Sequence, residues 1–573
     1  MSIIIALLSI ILPGYFLSLA LLKKTGLPMF EIFWIGIIFG LVFPPTLIWL
    51  ESYLIPYLHF FTFTETLYNI DVVVLTIAGI ALCAWQGIIT KDSLNSLIGN
   101  VSPREAFSSD YKQRIVELRK KISRMNIDMA IIKRHEAEEE SLRSKQQEEI
   151  NMIKSEDRPR IREMHEEEER KLVAEHESEE RELISSGMSS NITSKNAMWA
   201  ILTIFMLLAF LSRMMSISIS PRFFEFDPYF DMQSTEYILV HGYQLLFDHS
   251  AWPSIVNGTI HRIQPIVPYL EAYWYQLAAT PVQLTATSVN TTLLSLVSAI
   301  YPPITAALLV FVIFMFLYHE YGEFPALVGA ALGTAMPVLI TTFIAGEQLL
   351  QPWGIFSLFF FYAAYLLAAN NPREDRFSIL AGIAFASTFL GAHYYTVDAG
   401  VLAIYIGIQG IIHVLKKENT RSFFRMNAVV LGTIVLFYAL YSPYTATLTE
   451  RIPAILGLPV IISFPLAALL FVYLTENVPR LLKSRGIVRE VNLMLYLEML
   501  VAFAAVAAFL ILFTPIGKPF QAYYTLSTHF TTPSIPLFMT VQEYAPTGFN
   551  FDFGSAGFGI IGLSIAGVSI LVW

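Results

Sequence analysis

Charge is what this sequence has least of. Asp, Glu, Lys and Arg make up only 14% of its 573 residues. A soluble globular chain carries about 25%, so an ordinary aqueous enzyme is excluded at the outset. A basic excess is missing too. Lys and Arg number 37 against 46 Asp and Glu, a net charge of −9, which argues against nucleic acid as a partner. Cysteine is nearly absent: Cys83 is the single one, so intrachain disulfides are impossible, and so are zinc sites built on a pair or a quartet of cysteines. A cleavable leader pattern is lacking, because the first apolar run ends in Leu21-Leu22-Lys23-Lys24 without a small-residue cleavage site. What the chain has instead is apolar surface. Hydrophobic residues reach 55%, with 43 Phe, 27 Tyr and 8 Trp of the kind that interfacial aromatic belts use. They fall into runs of about 20 residues, which only a bilayer solvates.

The runs divide the chain into three blocks. Residues 1–95 hold apolar runs at about 4–22, 28–50 and 71–90, an N-terminal three-span membrane domain. Residues 96–196 differ in kind. Between Tyr111 and Leu183 stand 17 Lys and Arg and 20 Asp and Glu. Ile115, Leu118, Ile122, Met125, Met129 and Ile132 step alternately by three and four, a heptad seam. The seam thins further on, and Pro159 breaks the pattern. This block reads as charged cytoplasmic helices, either paired as a coiled-coil hairpin or standing as a solvated single helix. Residues 197–573 hold ten further apolar runs, at about 198–217, 293–317, 325–345, 352–369, 377–391, 396–415, 427–446, 454–474, 492–514 and 556–573. The fold expected is an all-α polytopic membrane protein.

Charge parity sets the topology. Lys23 and Lys24 face the cytoplasm by the positive-inside rule. If the ambiguous stretch 263–283 does not cross, the basic loops around Arg373 and Arg376, Lys416–Arg425 and Arg480–Arg489 all fall on that same side. Residues 218–292 then form one long external loop carrying an interfacial helix, and 346–351 and 515–555 are external as well.

On that external side three stretches are unusually polar. The first is Glu225-Phe226-Asp227-Pro228-Tyr229-Phe230-Asp231, just after a span. The second is Ala345-Gly346-Glu347-Gln348-Leu349-Leu350-Gln351. The third is Thr540-Val541-Gln542-Glu543-Tyr544-Ala545-Pro546-Thr547. Three acidic patches on one face can gather a hard cation such as Mg²⁺ or Mn²⁺. Further candidates are His393, with Tyr394, Tyr395 and Asp398 at an outer span end, Lys518 as a phosphate contact, and Glu498 within a span.

These residues carry a resemblance. Ser212-Arg213-Met214-Met215, followed by Phe224-Glu225-Phe226-Asp227-Pro228-Tyr229-Phe230 and then His241-Gly242, resembles the first external loop of the catalytic subunit of oligosaccharyltransferase. Thr540 to Thr547 resembles that family's TIxE or SVSEHQPT motif in its fifth external loop. The similarity covers about residues 198–573. It implies a GT-C-like transmembrane bundle, here with the three-span extension and the charged insert added. It also implies transfer of an oligosaccharide from a lipid-linked phosphate or diphosphate donor to the Asn of Asn-x-Ser/Thr in an acceptor polypeptide. On this resemblance Asp227 and Glu543 are catalytic, and Asp227 with Glu347 holds Mn²⁺ or Mg²⁺. Glu225, Gln351, His393, Lys518 and Thr540 are the donor- or acceptor-binding candidates. Asp231 stands where the family has Asn and is expected to be a surface residue.

The match departs from the family in two places. The family's second motif has acidic residues three and five positions after its Ala-Gly, where this chain has Leu349 and Gln351, and Glu347 is the nearest carboxylate. The chain also stops at Trp573, short of the family's last spans and its Trp-Trp-Asp domain, so a truncated chain or a separately encoded C-terminal domain is expected. The expected location is the plasma membrane, with the active site outside. Two other readings stay open: a related polyprenyl-phosphate-sugar transferase with another acceptor, and an inactive scaffold that recruits a partner through the charged block.

Overall fold

The computed structural model describes residues 2–54, 61–88, 196–218, 223, 227–244, 247–248, 259–260, 264–279, 285, 288–347, 350–392, 394–416, 420–448 and 460–486, with isolated positions between 135 and 176 and between 494 and 505. The chain forms two compact units, Met1–Thr90 with Leu202–Trp573, and Lys91–Ile201.

In the large unit the helices follow the apolar runs. They are α1 (Ser2–Leu22), α2 (Met29–Leu54) and α3 (Glu65–Trp85), then α4 (Asn196–Ser218), α5 (Asp227–His241), α6 (Ile266–Ala278), α7 (Thr291–Ser298) and α8 (Tyr301–Tyr321). After these come α9 (Glu323–Ala335), α10 (Pro337–Thr342), α11 (Leu350–Asn370), α12 (Asp375–Gly391), α13 (Tyr395–Leu415), α14 (Thr420–Leu448) and α15 (Val460–Ser484). Among the described residues eight helical stretches are long and apolar enough to cross a bilayer. The chain is therefore a multi-pass, helical membrane protein. A single antiparallel pair, β1 (Phe247–Asp248) with β2 (Thr259–Ile260), is the one departure from all-α among the described residues.

Several expected spans take a different form. The third begins at Glu65 rather than near 71, because the Thr64 side chain accepts the Leu67 N–H at 3.1 Å and caps a helix start that composition cannot see. The run 325–345 is not one helix. Pro337 supplies no N–H, Met336 before it is extended, and the segment splits into α9 and α10. The stretch expected as an interfacial helix, 263–283, contains a helix packed inside the protein. Its helix α6 has 13 residues, too few to span, and ten of them are buried, Tyr269, Tyr273 and Glu271 included. A helix apolar on all sides must be covered on all sides, and α1, α2, α3, α5 and α7 cover this one. The expected spans at 492–514 and 556–573 lie largely or wholly outside the described residues, as does the loop at 515–555.

Close packing begins at the N-terminus. Gly14 of α1 faces Gly36 and Gly40 of α2, and a Cβ at Gly14 or Gly40 would collide with the opposing backbone carbonyl. Small residues spaced by four let helix backbones touch inside a membrane. Ser18 completes the seam by donating to Ile32 O at 2.9 Å. Replacing Gly40 by Val is expected to force α1 from α2 and cost about 3 kcal/mol, read as a lower unfolding midpoint in a detergent titration.

Polar contacts collect the basic loops at one end of the unit. Lys24 Nζ donates to Gln86 O at 2.6 Å, and Arg376 reaches the Gln86 side chain at 3.4 Å. His319 of α8 pairs with the buried Glu31 of α2 at 2.8 Å. Arg425 pairs with Asp375, and Arg480 with Glu476 at 2.9 Å. The loops that charge parity groups together thus do meet in space. The opposite end carries the site described next.

In the second unit the described positions are helical. The His135 ring stacks on His176 at 4.0 Å, His176 pairs with Glu138 at 3.1 Å, and Gln146 Nε2 donates to His165 O. The pairs 135 with 176 and 146 with 165 set the two segments antiparallel.

Candidate functional site

Three segments matter at the end of the large unit away from the basic loops, and the first and last of them are hydrogen-bonded to each other. They are the close of α4 at Arg213, the helix α5 that opens at Asp227, and the turn 343–347 between α10 and α11.

Arg213 is buried, 1% exposed. Its Nε donates to Leu339 O at 3.2 Å, and its Nη1 to Ala209 O at 3.1 Å and to Thr334 O and Ser212 Oγ at 3.4 Å. Thr334 and Leu339 flank the Met336-Pro337 break, where helix-end carbonyls have no intrahelical donor. The guanidinium fork is suited to satisfying several of them at once. Its backbone carbonyl does a second task. Ala345 N–H donates to Arg213 O at 2.9 Å, and Ser216 Oγ donates to Ala345 O at 2.7 Å. Gly346 follows at φ +107, a conformation that side chains disfavour, and this turns the chain into Glu347. The Ala-Gly of the second motif is therefore explained: Ala345 is wholly buried against α4, and Gly346 makes the corner.

Helix α5 starts at Asp227 with Pro228 in its first turn, where a missing N–H costs nothing. An acidic residue there complements the helix dipole. Asp231 is one turn further along, and the buried positions Pro228, Met232, Thr235, Ile238 and Leu239 follow the helical period. Asp231 is half-buried rather than a free surface residue.

The residue that sequence reasoning undervalued is Glu271. It is the lone carboxylate of α6, is 0% exposed, and accepts from Thr235 Oγ1 of α5 and Ser298 Oγ of α7, both at 2.9 Å. Buried carboxylates need such donors. Tyr301, buried at the head of α8, lies within electrostatic range of Asp231, Glu271 and Glu347 together. The only sequence signal for Glu271 was its isolation in an aromatic stretch, and for Tyr301 there was none.

At the far end of α5, Tyr237 stacks on His241 at 3.9 Å and bonds Tyr243 at 3.5 Å. Burial, then the Tyr243 hydroxyl, pushes its phenol above the ordinary value, so it stays protonated. Tyr394 is raised likewise by burial and packs tightly over Gly354.

Of the remaining sequence candidates, Gln351 is half-buried in the first turn of α11, and Glu347 is half-buried in its turn. Glu225, His393, Lys518, Thr540 and Glu543 lie outside the described residues, and Asp227 is described only in its backbone. Among the described residues no three His, Cys, Asp or Glu side chains form a metal cluster.

No protein-family model matches this chain, and no curated protein sequence matches it. Solved structures do. The archaeal oligosaccharyltransferase AglB from Archaeoglobus fulgidus, in complex with an inhibitory peptide and a dolichol-phosphate, is similar with a TM-score of 0.47 at 17% identity, over 61% of this chain and 40% of that one. The apo form of the Archaeoglobus fulgidus oligosaccharyltransferase gives 0.44 at 17% identity over the same shares. Its complex with Zn and sulfate gives 0.42 at 17% identity, over 55% of this chain and 40% of that one. The similarity thus spans well under half the length of those enzymes.

Proposed function

We propose that this chain is a membrane glycosyltransferase of the oligosaccharyltransferase kind, moving an oligosaccharide from a lipid-linked phosphate or diphosphate donor to the Asn side chain of Asn-x-Ser/Thr. The observation that carries the reading is a juxtaposition. The turn bearing Ala345-Gly346-Glu347 hangs on the end of α4, from which the chain runs on to the helix opening at Asp227-Pro228-Tyr229-Phe230, more than 100 residues away in sequence. The Arg that precedes the first motif holds the second by its own backbone.

The chemical difficulty is the nucleophile. A carboxamide nitrogen shares its lone pair with the carbonyl, and rotating that pair out of conjugation costs ~18–20 kcal/mol in a peptide bond. Asp227 and Glu543, accepting hydrogen bonds from the acceptor's NH₂, would favour a twisted amide, because charge-assisted bonds are the strong ones. Asp227 and Glu347 are the residues to hold Mn²⁺ or Mg²⁺. When bound, the cation supplies Lewis-acid neutralisation of the leaving phosphate. Glu271 ties α5 to α7 through Thr235 and Ser298. Glu225, Gln351, His393, Lys518 and Thr540 are reserved for contacts with donor and acceptor. The active face is external on a cell membrane, opposite the basic loops.

The test is direct. Membranes containing the full chain, a lipid-linked oligosaccharide and a peptide with Asn-x-Thr are expected to yield glycopeptide with Mn²⁺. EDTA should stop the reaction, and a Gln-x-Thr peptide should stay unmodified. Transfer that persists under EDTA removes the metal, and no transfer under any divalent cation, with the family's C-terminal domain supplied as a second chain, removes the reading and leaves the scaffold alternative.

A further inference from the structure

Residues 1–90 belong to no part of the resemblance, yet they share a compact unit with the transferase-like helices. Their contacts concentrate on one target. The N–H of Phe63, in the chain between α2 and α3, donates to Gly242 O at 2.6 Å, at the point where α5 ends. Gly242 sits at φ +79, and a Cβ there would come within 2.5 Å of Thr62 Cβ. Glycine is required twice over, once for its backbone and once for the approach of the N-terminal block.

Helix α6 is gripped along its length. The Tyr269 hydroxyl lies 2.6 Å from Ser52 Oγ of α2, takes a backbone hydrogen bond from Gln244 just beyond α5, and packs edge-on against Phe63. Burial raises this phenol above its ordinary value, so it stays neutral and hydrogen-bonded. One turn on, Tyr273 stacks on Tyr68 of α3 at 3.8 Å and 15° and donates to Asn69 Oδ1 at 2.8 Å. Between those two tyrosines α6 projects Glu271, which ties down Thr235 of α5 and Ser298 of α7. A continuous chain of bonds therefore runs from α2 and α3, through α6, to the helix that opens at Asp227 and to the residues around Tyr301.

We propose that the three N-terminal helices are a built-in clamp that holds α5 by its C-terminal end and α6 along its length, and so fixes the position of the helix that opens at Asp227. The residues concerned, Gly242, Tyr269 and Tyr273, act through α5 and α6 and are positioning residues. The consequence for transfer rests on the function proposed above, whereas the clamp itself does not. A reacting group displaced by about 1 Å can lose 10²-fold in rate, so a loosened clamp should lower kcat while leaving the donor KM unchanged.

Three variants of the full chain test this: Tyr269→Phe, Tyr273→Phe and Gly242→Ala, the last with and without Thr62→Gly. Hydrogen–deuterium exchange of residues 227–241 is expected to rise about tenfold in each single variant while residues 350–391 stay at the wild-type rate. Thr62→Gly should recover part of the Gly242→Ala loss by removing the atom in the way. Transfer assays should show kcat reduced about tenfold or more in step with exchange. Unchanged exchange in all three variants overturns the clamp, and raised exchange with undiminished kcat overturns its effect on transfer. A wild-type chain that transfers nothing defeats the proposed function alone, because the exchange arm still decides whether the clamp exists.

Discussion

Transfer by the Asp227→Ala variant is expected to fall by two to three orders of magnitude or more, the scale seen when one preorganised electrostatic contact to a transition state is removed. The reason is that a carboxamide has no useful nucleophilicity of its own. Whatever favours its twisted form must act in the transition state more than in the bound substrate, so the loss should appear in kcat rather than in acceptor KM. Glu543→Ala is expected to behave alike. If the two carboxylates act as a pair on one NH₂ group, the double variant should be scarcely worse than either single one. Asp227→Asn keeps an oxygen acceptor without the charge and should fall between. Initial rates of glycopeptide formation at saturating donor and peptide read all four. Additive losses would separate the two residues into independent roles, and wild-type rates in either Ala variant would remove the assignment.

The largest structural effect is expected at Arg213. Its guanidinium bonds Ala209 O, Thr334 O and Leu339 O with no solvent to replace it. Charge-assisted bonds are worth about 1.5–3 kcal/mol each in water-soluble proteins, and polar contacts in membranes average about 0.6. Three together place Arg213→Met at about 2–4 kcal/mol of lost stability. Unfolding midpoints in a detergent titration measure it. Arg213→Lys should recover only part, because a point charge cannot serve three carbonyls that the planar fork reaches. Since Ala345 hangs on the Arg213 backbone, a disturbed α4 end should also raise the Mn²⁺ concentration for half-maximal transfer. A Met variant as stable as wild type would show that α9 and α10 close their break without help.

Much of the architecture was legible because a bilayer sets a coarse rule: about 20 apolar residues to cross, and no charge without a reason. The runs at 4–22, 28–50 and 396–415 became α1, α2 and α13 almost residue for residue. The rule fails where local chemistry intervenes. Pro337 divides an apolar run that hydropathy reads as continuous. In α6, hydropathy and aromatic content suggested a helix at the membrane surface, whereas its tyrosines were needed inward, as polar-tipped packing between α2, α3 and α5.

Asp227 and Glu347 could be named from motifs, because their neighbours in sequence carry the signal. Glu271 and Tyr301 could not, since their significance lies in which helices surround them. The linear chain by itself fixed that this is a helical membrane protein and where several of its spans fall, because solvation by a bilayer acts on each segment separately. Only the folded arrangement decided that Arg213 holds the turn at Ala345, that Glu271 joins three helices and that Phe63 meets Gly242 where α5 ends. Those are contacts between segments separated by up to about 200 positions, and nothing along the chain encodes such a pairing until packing brings its two halves together.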